Sequence, residues 1–177
     1  LNVNAHTGLY LDFIHPTNTD FLQVYTRGVR PWMAFFTIWS AFLNWKYSMD
    51  REAFHVAQKI GKKIHFLETI EEQLAALDGI PFERIVDFIN RIEHWKVYKE
   101  LFLKSFLSGD LEKFASMTGE FPTRCESIVM KRDPIFFKRM KTFFEKGETT
   151  AFVGVIHISG IRKLFLEEGY RVTQEIS

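Results

Sequence analysis

One cysteine, Cys125, stands among 177 residues. A lone thiol excludes an internal disulfide and a cysteine-rich zinc site. Charge of one sign is also lacking: 23 basic residues face 22 acidic ones, a formal balance of +1. Such a chain exerts no long-range pull on nucleic acid or anionic lipid, so no nucleic-acid partner is expected. Long hydrophobic runs are missing too. The most apolar stretch is "WMAFFTIWSAFLNW", residues 32–45. As a helix it would span about 21 Å, short of the roughly 30 Å bilayer core. We read it as a buried helix. Arg27, Arg30 and Lys46, with tryptophans at both ends, keep membrane contact through an interfacial helix as the alternative. The chain carries no low-complexity segment, dividing linker or long exact repeat, and no His-Glu-x-x-His, phosphate loop, dinucleotide fingerprint or serine elbow. It opens on Leu1 without a basic-then-apolar signal region, which suggests a fragment or a processed form.

What is abundant is phenylalanine, 19 residues in a chain that is 46% hydrophobic. That composition argues against disorder, and a domain of this length buries roughly 70% of its unfolded surface. The aromatic excess therefore reads as core. Apolar spacing places a helix from Pro31 to about Trp45. A second runs from an Asp50 cap to Gly61, with Ala53, Phe54, Ala57 and Ile60 as its apolar face. Thr69 and Glu72 form a capping box for a third, which Asp78-Gly79 ends. A long helix is expected over about 81–107, with Phe82, Ile85, Ile89, Ile92, Leu101, Phe102 and Phe106 along its seam. Shorter helices follow at about 110–117, 122–131 and 134–146.

"KKIHFLE" and "TTAFVGVIH" are short, β-rich and bounded by glycine, so both read as strands, with "YRVTQEI" as a terminal strand. The fold expected is α/β or α+β, a small mixed or parallel sheet with many flanking helices. The first two strands share one plan: helix, glycine, strand, ionisable residue, helix. One delivers Glu68 and the other His157. Ligands in open α/β sheets bind beyond the carboxyl ends of the strands, so the two residues are expected at one rim. For Gly154-x-x-His157 the chemical reading is a divalent-metal ligand. The plainer reading is a histidine that caps a helix or bonds a carbonyl. Glu68 is either a metal ligand or general base, or an ordinary glutamate at a helix N-terminus. Arg132 can bind a substrate carboxylate, pair with Glu68, or be a surface arginine.

Several segments in order resemble the TraB/GumN family, whose animal relatives include the Tiki proteases. "RPWMAFFTIW" is similar to its Pro-Trp helix. "MDREAFHVAQKIGKKIHFLETIEEQLAALDGIP" resembles its helix, strand and Leu-Glu-Thr segment. "MKRDPIFFKRMKTFF" resembles the helix bearing its arginine, and "AFVGVIHISGIRKLFLEEGYRV" its closing Gly-x-x-His motif. The resemblance covers about residues 31–176. It implies a single Tiki-like domain over 1–177 from which the family's first Gly-x-x-His is missing, either because the chain is the C-terminal portion of such a protein or because the first site has been lost; "VNAH", ending at His6, lacks the glycine. It further implies a metal-dependent hydrolase, a peptidase acting on peptide or protein, exported or associated with a membrane. His157 and Glu68 would hold manganese, cobalt or zinc, and Arg132 would complete the catalytic set. The rival it allows is a non-catalytic protein that binds a peptide or pheromone, or regulates another protein. Similarity of the wider superfamily to ChaN-like haem-binding proteins leaves ligand binding open.

Overall fold

A computed structural model describes residues 29–44 and 47–175. These residues fall into two compact units, one containing 29–44 and 80–122, the other 47–79 and 123–175. Among them are eight α-helices and one short 3-10 turn, and no strand. The expected sheet is therefore corrected to an all-helical architecture. The stretch "GLYLDF", whose sequence also allows a short strand, the turn-forming "HPTNTD" after it, and the last two residues lie outside the described residues.

The first unit is built on aromatic packing. Helix α1, Pro31–Leu43, starts with proline in its first turn and buries Phe35, Ile38, Trp39 and Leu43 along one stripe. That stripe is the apolar run for which membrane contact was the alternative. No helix among the described residues is long and apolar enough to cross a membrane. The long helix expected over 81–107 is interrupted. Helix α4, Phe82–Ile89, ends at Asn90, a 3-10 turn occupies Ile92–His94, and helix α5 takes up Trp95–Leu107. The break lets Trp95, 1% exposed, turn inward, donate its indole N–H to the Phe88 carbonyl at 2.9 Å and stack on the Phe88 ring. The α5 seam consequently shifts away from Leu101 and Phe106, which are exposed, onto Trp95, Tyr98, Phe102 and Ser105. Helix α6, Leu111–Met117, begins at Asp110, whose carboxylate accepts from the Lys113 N–H. An open cavity of about 180 Å³, lined by Tyr98, Leu101, Phe102, Met117, Thr118 and Glu120, lies in this unit.

The second unit holds helix α2 (Met49–Lys59), helix α3 (Ile70–Asp78), helix α7 (Asp133–Phe144) and helix α8 (Val155–Glu167). Its core is a knot between α7 and α8. Phe136 and Met140, four residues apart on α7, meet Ile161 and Phe165, four apart on α8. Ser48, not Asp50, occupies the cap position of α2, and no residue of that helix is fully buried. Residues 122–131, expected as a helix, form successive turns.

None of the three expected strands forms: their described residues are irregular apart from Val155, Ile156 and His157, which open α8. Their apolar alternation is nonetheless put to use. Leu67, Ala151, Val153, Tyr170 and Val172 pack against the α7–α8 core, while Phe66 and Phe152 between them are exposed. One-sided burial of this kind produces the two-residue period of a strand. A ladder additionally requires a hydrogen-bonded neighbour along its length, and none forms among these segments. "VIH" belongs to the first turn of α8, where the His157 N–H donates to the Gly154 carbonyl at 2.9 Å. His157 thus sits inside a helix rather than at a strand tip. Gly154 has φ −58 and ψ 139, and a Cβ there would rest 3.7 Å from the His157 ring, an ordinary contact. This geometry places no steric demand for glycine at position 154.

Candidate functional site

The candidate residues all fall in the second unit, around the first turn of α7. Arg132 is the residue before that helix, Asp133 its first, and Phe136 lies one turn on. Two arms reach this turn from elsewhere in the sequence.

The first arm is the bend before α3. Thr69 caps α3 by accepting from the Glu72 N–H at 3.2 Å, and the Glu72 carboxylate accepts the Thr69 N–H at 2.8 Å. This is the capping box read from the sequence. With the turn so fixed, Glu68 stands just outside the helix and meets Arg132. The guanidinium Nε donates to Oε2 at 3.0 Å and a terminal nitrogen to Oε1 at 2.5 Å. The side chains are 15% and 17% exposed, so this is a largely desolvated fork on a carboxylate. The guanidinium also lies 4.9 Å from the centre of the Phe136 ring.

A parallel fork sits one turn after Glu68 and two turns after Arg132. Arg139 holds Glu72 through two contacts of 2.7 Å and donates to the Leu67 carbonyl at 2.6 Å. The Arg139 bonds, then the Thr69 N–H, hold the Glu72 carboxyl down from its ordinary 4.5 to about 2. The same pairing pushes Arg139 further up. A depressed carboxyl contributes stability that is complete above about pH 4.5 and disappears as pH falls toward about 2. Thermal unfolding should therefore separate Glu72→Gln from wild type most widely at neutral pH. The two midpoints should converge across that acid window. A gap that stays constant down to about pH 2 would show the linkage to be wrong.

The second arm is the start of α8. His157, Ile161 and Phe165 share its inward face, so the imidazole continues the core seam. The ring is 4% exposed, and Nδ1 lies 2.6 Å from an oxygen of Asp133, itself 5% exposed. It also meets the Phe136 ring edge-on at 5.1 Å. Gly160, one turn beyond His157, makes this contact possible. A Cβ at that position would stand 1.8 Å from the second Asp133 oxygen. Glycine inside a helix costs about 1 kcal/mol relative to alanine, and here the missing methyl is the space the carboxylate occupies. The Arg124 guanidinium donates to the Ile156 carbonyl at 3.3 Å and ties the same turn to the preceding segment.

Glu68 and His157 are thus brought to neighbouring residues of one helix end, Arg132 and Asp133. Phe136 touches both Arg132 and His157. The reasoning from sequence did not single out Asp133 or Arg139; it read Phe136 as part of a buried stripe, which it is, and noted Gly160 without a role for it. A signal for the forks was present: carboxylates four apart, Glu68 and Glu72, oppose arginines seven apart, Arg132 and Arg139, both helical spacings. Asp133 reads in sequence only as an acid before a proline at a helix start.

A profile of the TraB/PrgY/gumN family matches residues 16–174, nearly the whole chain. The chain belongs to the TraB/PrgY/gumN family. Comparison with curated proteins and with solved structures gave no match.

The metal implied by this TraB/PrgY/gumN membership meets a divided donor set. His157 has the form of a ligating histidine, one ring nitrogen held by a carboxylate and the other left for a metal. Glu68 is held at both oxygens by Arg132, and each oxygen keeps one further lone pair. Among the described residues no group of three or more His, Cys, Asp or Glu side chains is arranged to hold a metal ion.

Proposed function

We propose that this TraB/PrgY/gumN chain contributes one wall of a hydrolytic site that acts on peptide bonds with a divalent metal, manganese, cobalt or zinc. The observation that supports the reading is the His157 ring, held from behind at Nδ1 by Asp133. His157 would hold the ion through Nε2, and further ligands would come from outside the described residues. When bound, such an ion polarises a carbonyl and acidifies water.

The chain's own groups define the rest. A carboxylate offers about four lone-pair sites. Arg132 takes two of those on Glu68, which leaves two able to accept from a water. The two-pronged contact with Arg132 fixes the plane of the Glu68 carboxylate. Glu68 in this reading orients water and does not ligate. Arg132, 15% exposed, keeps an edge from which a terminal nitrogen could reach a substrate oxygen. Phe136, part of the apolar α7–α8 core, lies beneath the Arg132 guanidinium.

The pairing of Glu68 with Arg132 also favours a second reading. A fork this buried suits a rigid binding or regulatory module that does no chemistry. Metal uptake separates the two. Titration of the full chain with Zn²⁺, Mn²⁺ and Co²⁺ should show uptake that His157→Ala abolishes and Glu68→Gln leaves within a few-fold. Peptide cleavage should be lost with chelator. Uptake indifferent to His157→Ala, or cleavage indifferent to chelator, would remove the hydrolase reading and leave the binding module.

A further inference from the structure

We infer that Asp133 is a positioning residue for His157, and that Gly160 is the residue that lets it act. The inference rests on the hydrolase reading only for what His157 receives, and stands on geometry for how the ring is presented.

A neutral imidazole carries one proton, on either nitrogen, and its partners select which. Here Nδ1 faces a carboxylate oxygen at 2.6 Å, with both residues buried. A carboxylate accepts and does not donate. The proton is therefore held on Nδ1, and the lone pair is left on Nε2. The ring has little freedom to turn, because the Phe136 edge packs against it and Ile161 and Phe165 continue the same helix face. Nε2 is thus the atom that this fold offers to an electrophile, whether a metal ion or an acidic proton.

The carboxylate reaches this place only through the gap in α8. Gly160 lies three residues after His157, on the same side of the helix. Any larger residue there would put its Cβ against the second Asp133 oxygen, 1.8 Å away. His157 and Gly160 therefore act as one motif with Asp133 as its partner. This accounts for the glycine that follows the histidine, for which sequence spacing supplied no reason. The role also separates Asp133 from a simple core residue: a packing role predicts no preference between the two ring tautomers.

The test is the ¹⁵N signature of the His157 ring in the full chain, on the alkaline side of the ordinary imidazole range. Wild type should show a protonated Nδ1 and a bare Nε2. Asp133→Ala should populate both tautomers, and Gly160→Ala should do the same by displacing the carboxylate. Zn²⁺ added to wild type should shift the Nε2 signal, with affinity about 10- to 100-fold weaker in Asp133→Ala. A wild-type ring protonated on Nε2 overturns the inference, as does an Asp133→Ala ring that keeps the single wild-type tautomer. Wild type alone decides if both variants fail to fold. A bare Nε2 whose signal Zn²⁺ leaves unmoved upholds the positioning role and instead sinks the metal-hydrolase reading.

Discussion

Arg132→Ala is expected to lower the unfolding free energy of its unit by about 3–5 kcal/mol, the usual cost of breaking a buried ion pair from one side. The magnitude comes from what is left behind. Glu68 is 17% exposed and loses both of its contacts with Arg132 at once. Water reaches it only in part, so its charge is incompletely resolvated. The Phe136 face also loses the guanidinium above it. Most of this cost should be the stranded charge. Adding Glu68→Gln should therefore recover a large share, because an amide can be buried at lower cost than a carboxylate. Arg132→Lys should fall between, keeping the charge but losing the planar fork. Urea denaturation followed by far-UV circular dichroism measures all three. If Arg132→Ala costs less than about 1 kcal/mol, the range typical of exposed pairs, the fork does not fix the Glu68 bend.

The helices of this chain were legible where caps and apolar stripes agreed. Pro31 starts α1 and Thr69 with Glu72 starts α3, as the sequence implies, and α6 falls where a helix at about 110–117 was expected. The sheet was misread because one observation served two structures. Alternating burial of Ala151 and Val153 against exposed Phe152 follows from lying along a helix pair as readily as from pairing with a strand. Only hydrogen-bonded neighbours distinguish the two, and neighbours are not written in a local segment. The β-branched run at Val155, Ile156 and Ile158 deepened the error. In the fold, the inward spacing of His157, Ile161 and Phe165 outweighs that preference, and α8 starts directly after Gly154. Half of the α2 reading failed for a related reason. Its apolar positions are correctly spaced, yet Ile60 is 59% exposed; periodicity gives a face and not what covers it. The pairing of Glu68 with Arg132 stood among the readings of the sequence as one option. The Asp133–Gly160 contact did not, because it depends on how closely two helices approach.

Phe136 packs in the same helix interface, and Phe136→Ala is expected to cost about 3–5 kcal/mol, the range for deleting a core phenylalanine. The side chain is 5% exposed and belongs to the α7–α8 core with Met140, Ile161 and Phe165. It also spans the two arms, with the Arg132 guanidinium over its face and the His157 ring at its edge. Two contributions can be separated. Phe136→Leu refills most of the volume without supplying a ring, and such swaps usually cost less than about 1.5 kcal/mol. The gap between the leucine and alanine variants then measures the cavity. The gap between leucine and wild type measures the aromatic contacts to Arg132 and His157. If those contacts align the arms, the leucine variant should stay close to wild type in stability while its His157 ¹⁵N signals broaden or split. Unchanged ring signals in a stable Phe136→Leu protein would mean that Asp133 alone holds the imidazole, and that Phe136 fills space without linking the two sides of the site.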